Sequence, residues 1–236
     1  MKPRAWQPVL ALRPTQFSIG LLEVEAKALE LKKLDPTKRR ETLKECRIPV
    51  IVSPWKALYV TDHHHLLFAS WHIGVKEVKI EVLDDFSDAK LTHESFWRRM
   101  VNEKRAYLYD QFGKGPHEPI YLPNDIRGLA ADPYRALAWA VREAGGYQNT
   151  DEPFAEFKWA DFFREAKLLT PQGFGYDRFN EAVQAGLQMA CSDNAKGLPG
   201  FDSAAAADPK CKLKARKIRP SPKENGVFAS VPQFKL

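Results

Sequence analysis

The chain has 236 residues, 44% hydrophobic and 28% charged, a balance that suits a folded core with an appended subdomain and excludes a disordered chain. Lys, Arg, Asp and Glu interrupt every apolar run, so no stretch has the composition of a membrane span. The net charge of +6 belongs to one segment: Lys210, Lys212, Lys214, Arg216, Lys217, Arg219 and Lys223 stand together without an acid, and the rest of the chain is one charge negative.

Gln7 to Leu12 reads as a strand closing on the turn Arg13-Pro14-Thr15-Gln16. Leu21, Leu22, Val24, Leu29 and Leu31 keep helical spacing up to the break at Asp35-Pro36, and the charged stretch Thr37 to Arg47 predicts a second, exposed helix. Ile48 to Val52 is a short buried strand, Ser53 to Lys56 a turn, and Ala57 to Val60 the hairpin partner. Thr61-Asp62-His63-His64-His65-Leu66-Leu67-Phe68-Ala69-Ser70-Trp71 then predicts a helix opening on three histidines. Asp62 suits its N-cap, His64 shares a face with Leu67, Phe68 and Trp71, and Gly74 suits the C′ position. Val78, Ile80 and Val82 alternate with Glu77, Lys79 and Glu81, a strand with one face to water.

Phe96, Trp97, Met100 and Val101 stripe the next helix. Tyr107 to Gly128 is an irregular connection, long enough for a functional loop or lid. Asp132-Pro133 caps and opens a helix striped by Tyr134, Leu137, Ala138 and Val141 and stopped at Gly145-Gly146. Pro153 opens another, rich in aromatics (Phe154, Phe157, Trp159, Phe162, Phe163), which suit a core between helices better than a base-stacking platform. A last helix runs from about Asp177 to Cys191, and beyond Ser192 the composition predicts an extended tail. The expected architecture is α+β: a small mixed-sheet core over 6–90, a helical subdomain over 91–191 and a basic tail over 192–236.

Three readings of the histidine cluster stay open. The rings can bind phosphate and act as general acid and base, since a free imidazole titrates near ~6.5. Asp62 with His63 can contribute to a divalent metal site. Alternatively His64 fills the core while His63 and His65 cap a helix. Adjacent helical residues point in different directions, so the three rings cannot share one metal. Arg13, Thr15 and Gln16 follow a strand, where they can face a cleft and contribute a cation or stay a plain surface turn. Glu23 and Lys27 stand at i, i+4 and read first as an ion pair; Asp132 and Arg135 read as helix cap and decoration, His72 and His93 as surface or packing residues. Cys46, Cys191 and Cys211 are too few for a disulfide scaffold, although Cys191 and Cys211 can pair in an oxidising compartment. The start lacks a signal-peptide h-region, which makes a cytoplasmic location the default expectation. The basic tail suits DNA, RNA or an anionic surface, or simply keeps the chain soluble.

Several separated segments together resemble one family. Leu12-Arg13-Pro14-Thr15-Gln16 with Gly20 and Glu23-Val24, the strand pair, Asp62-His63-His64-His65, Phe96-Trp97-Arg98-Arg99-Met100, Asp132-Pro133-Tyr134-Arg135-Ala136-Leu137-Ala138 and Phe154 to Phe162 are similar to the putative ParB-like nuclease family of the ParB/sulfiredoxin superfamily. The resemblance covers about 8–165. It implies a ParB/sulfiredoxin-like core, with phosphates held at the helix start after the hairpin through a Gly-Cys-His-Arg or Gly-His-His-Arg pattern. Laid on this chain, Asp62 takes the place of Gly, His63 of Cys or the first His, His64 of the second His, and His65 of Arg. Without a cysteine at 63, sulfiredoxin-type sulfur chemistry is not implied; without Arg at 65 a bidentate phosphate fork is missing. Related kinase-like members use a glutamate near Glu23 as base. The expectation is an enzyme acting on a phosphate ester, most simply a nuclease, with His63, His64, Asp62 and Glu23 catalytic and Arg13, Thr15, Gln16 and His65 holding phosphate. Its partner would be nucleic acid or a small phosphorylated substrate, and its cofactor a divalent metal or a nucleotide. The alternatives are a nucleotide-dependent amino-acid kinase and a non-enzymatic nucleic-acid or partner-binding module.

Overall fold

The structure, a computed structural model, describes residues 3–169 and 176–203. Its strands are β1 (Trp6–Pro8), β2 (Leu12–Pro14), β3 (Ser18–Ile19), β4 (Ile48–Val52), β5 (Leu58–Val60), β6 (Glu77–Asp85) and β7 (Ala130–Ala131). Its helices are α1 (Leu21–Lys33), α2 (Pro36–Glu45), α3 (His64–His72), α4 (His93–Asn102), α5 (Pro133–Glu143), α6 (Ala155–Glu165) and α7 (Tyr176–Ala190). The class is α+β, and among the described residues no helix is long and apolar enough to cross a membrane.

The chain divides into two units, one of residues up to 19 with 26–132, the other of 20–25 with residues from 133 on. The first holds a mixed sheet in the order β1-β6-β4-β5-β2 and a separate parallel pair, β3 with β7. β1 runs antiparallel to β6, β6 parallel to β4, β4 antiparallel to β5, and β5 parallel to β2. This order corrects the single strand expected over Gln7 to Leu12. β1 and β2 lie on opposite edges of the sheet, so the chain must leave one edge and cross to the other, and a 3-10 turn at Val9–Ala11 makes that step. Arg13 and Pro14 accordingly extend β2 and are not a turn.

β4 and β5 are buried nearly throughout, as strands covered on both faces must be. Phe96, Trp97 and Met100 of α4 cluster with Ile51, Tyr59 and Phe86, whereas Val101 is exposed. His93 has a packing role: it stacks on Trp55 at 5.2 Å and accepts from Trp97 Nε1–H at 3.1 Å. The long connection after α4 is pinned. Tyr107 N–H donates to the Thr15 carbonyl at 2.9 Å, and Asp110 accepts from the N–H groups of Phe112 and Lys114.

The second unit is helical. Trp159 is fully buried, stacked on Tyr147 at 4.2 Å, and donates to the Pro199 carbonyl at 2.8 Å. α6 begins at Ala155 after Phe154 in a left-handed conformation, two residues later than Pro153 suggests. α4 and the connection to 132 group with the sheet unit, and Ala195, Leu198 and Phe201 pack on the helical core. The basic run 210–223, and with it Cys211, lies outside the described residues.

Candidate functional site

β5 ends at Val60, Thr61 N–H reaches back to the Pro49 carbonyl at 3.0 Å, and His63 takes the N-cap of α3 with φ +64. This corrects the reading of Asp62 as cap. Its carboxylate accepts from His63 N–H at 2.6 Å, one residue too early to serve the first turn. The helix stops as its sequence indicates, with Gly74 at φ +85 just after the C-cap Ile73.

The left-handed residue sends the three rings into different surroundings. His64 is buried. Its Nε2 accepts from Thr15 N–H at 3.2 Å, the ring stands against the Val60 carbonyl, and Thr15 Oγ1 donates to that carbonyl at 2.7 Å. Burial pulls its pKa down to about 4, and the charge of Asp62 opposes this only in part. At neutral pH His64 is an uncharged tie between β2 and β5. His65 is also buried. The His63 side chain keeps 46% of its surface exposed, with Nδ1 3.9 Å from Asp62 Oδ1.

His63 lines an open groove of about 770 Å³ formed with the end of α2 and the start of β6. Lys44, Arg47 and Lys79 bring cations to it; Glu41, Glu45 and Glu81 bring carboxylates, Glu81 lying 3.9 Å from Arg47. The sequence identifies the exposed helix that carries Lys44 but gives no sign of the groove, because Lys79 arrives from a strand more than thirty residues away. Arg13, Thr15, Gln16, His64 and His65 do not line it. Arg13 is half-buried on β2 beside Tyr59, and no ion pair to it is found among the described residues. Gln16 is buried and donates to the Ser18 carbonyl at 2.7 Å.

Glu23 belongs to the helical unit. Its carboxylate meets Arg135 at 3.1 Å, and Arg135 also reaches Glu156 at 3.1 Å. Arg135 is thus a buried bridge and not the surface decoration its sequence position suggests. For a divalent ion, Asp62 and His63 supply two donors, and no group of three or more His, Cys, Asp or Glu placed to hold a metal is found among the described residues.

The sequence matches the family described as putative ParB-like nuclease over residues 7–165. The structure is similar to the crystal structure of protein Atu1540 from Agrobacterium tumefaciens, with a TM-score of 0.73 and 33% sequence identity, covering 85% of this chain and 98% of that one. No curated protein matches.

Proposed function

This chain belongs to the putative ParB-like nuclease family, and from that premise we propose that it hydrolyses a phosphodiester in the groove beside His63. The observation that carries the reading is the fate of the histidine triplet: two rings are buried, and the third stands half in water among three cations. His63 takes the proton from an attacking water, the water oxygen bonds to phosphorus, the P–O bond to the leaving oxygen breaks, and the departing alkoxide is protonated by solvent, to which His63 later releases its proton. Lys44, Arg47 and Lys79 offset the charge that gathers on the phosphoryl oxygens, and the first-turn N–H groups of α3 add a partial positive charge. Asp62 holds the His63 backbone through its N–H, and Arg13 stays on β2, outside the groove lining. Thr15, Gln16, His64 and His65 hold the framework of the turn, and Glu23 fixes α1 through Arg135.

Three carboxylates share the groove, so a phosphate binds there weakly and turnover is the better measure. The same balance of charge favours, as a second reading, phosphoryl transfer to a small acceptor bearing both signs, such as an amino acid. His63→Asn is the test, because Asn tolerates the left-handed backbone that Ala resists. Hydrolysis of bis-p-nitrophenyl phosphate and of a labelled oligonucleotide should fall by ~100-fold or more, with the melting temperature unchanged. An undiminished rate removes His63 from the chemistry.

A further inference from the structure

Residues 26–47, all in the sheet unit, carry eight Lys and Arg against four Asp and Glu, in a chain that is nearly neutral outside 210–223. Of the ten residues of α2 only Leu43 is buried. A helix that polar gains little from the core, yet this one is firmly built. Asp35 accepts from the N–H groups of Thr37 and Lys38 at 3.0 Å, and Pro36 opens the first turn. Arg39 donates through Nε and NH2 to the Leu31 and Leu34 carbonyls at 2.9 Å, closing the end of α1 and fixing the corner between the helices.

On that rigid corner four lysines are uncommitted. Lys32, Lys33, Lys38 and Lys44 are exposed, and no ion pair to any of them is found among the described residues. Arg40 lies over the Trp6 ring at 4.2 Å and stands one turn from Lys44, a like-charge pair that works against an isolated helix. Free positive charge held in fixed geometry fits a partner with regularly spaced negative charge. α2 offers no outward apolar face to sink into a lipid surface, which leaves the phosphate backbone of nucleic acid as the occupant that matches.

We propose that the corner formed by Lys32, Lys33, Lys38 and Arg40 docks the backbone of a nucleic-acid duplex, one strand of which passes Lys44 into the His63 groove. The direction into the groove rests on the phosphodiester reading; the surface itself rests on the charge. These contacts go to phosphates, so they hold every sequence alike.

The test uses the full chain carrying His63→Asn, so that binding is read without turnover. Anisotropy of a labelled 20-base-pair DNA duplex is followed from about 50 to 200 mM salt, the range over which phosphate contacts dominate the salt dependence. Lys32→Glu, Lys33→Glu and Lys38→Glu together should weaken binding at least ~10-fold and lower the salt slope by about two to three. Lys90→Glu, Lys114→Glu and Lys167→Glu, exposed lysines elsewhere, change net charge equally and should leave the slope unchanged. An equal loss from both triples means that net charge and not the corner is sensed, and overturns the proposal. So does no loss from the first triple, or binding to phosphatidylglycerol vesicles with none to the duplex. Should hydrolysis survive His63→Asn while the first triple still weakens binding, the catalytic reading falls and the surface stands.

Discussion

The Nε2 of His64 accepts from Thr15 N–H and the ring stands against the Val60 carbonyl, buried from solvent. Protonation would put a charge there and turn the acceptor into a second donor. The folded pKa of about 4 lies below the ordinary value of 6.5, so the unfolded chain binds the proton more readily. The contribution of His64 to stability is therefore whole above 6.5, shrinks as pH falls toward 4, and is spent below that, a loss of roughly 3 kcal/mol. Urea unfolding at pH 7 and pH 4.5 should show it as a steeper acid loss in the natural protein than in His64→Gln. Equal losses would mean that the ring is not held neutral. The triplet is legible in the sequence as a cluster, and His64 does share its buried side with Leu67. Which ring meets water is not legible, because it depends on one left-handed residue, His63, at a position that side-chain pattern does not mark.

Arg135 does for α1 and α5 what His64 does for two strands. Its guanidinium stands between the carboxylates of Glu23 and Glu156, Glu156 also meets Arg142, and Gly20 lies so close that a Cβ there would stand 3.0 Å from Ala136 N. Burial pushes the Tyr147 phenol up, and its hydroxyl donates to the Ala138 carbonyl at 2.9 Å. Removing the cation alone leaves two partly or fully buried carboxylates facing each other. Arg135→Ala should cost about 3–5 kcal/mol in urea unfolding, and adding Glu23→Gln should recover part of it, since an amide needs no counter-charge. A loss under ~1 kcal/mol would show that the bridge carries no weight, as exposed pairs do. The local elements themselves were readable: α1, α2 and β4 fall where apolar spacing and Asp35-Pro36 put them. What spacing could not supply is pairing over distance. Glu23 and Arg135 are 112 residues apart, and β1 and β2 adjoin in sequence but occupy opposite edges of one sheet. Local periodicity sees neither.

At the scale of the whole molecule, charge is divided between places that composition alone merges. The +6 total hides a basic tail at 210–223, a body one charge negative, and within that body a locally basic corner on α1 and α2. Both basic stretches can attract a polyanion, and the corner continues into Lys44, which lines the groove that holds His63. Replacing all seven Lys and Arg of 210–223 with Gln in the full chain separates them. If the tail only raises the local concentration of nucleic acid, the salt slope for a duplex falls, since each lost phosphate contact removes about 0.9 from it. Hydrolysis of bis-p-nitrophenyl phosphate, which offers no extended phosphate backbone to hold, should keep its rate. If instead the protein is a binding module whose tail is the binding element, the substituted chain loses duplex affinity entirely and has no turnover to keep. Measuring both quantities on the same preparation decides between an enzyme with an accessory anion-binding segment and a nucleic-acid-binding protein without catalysis.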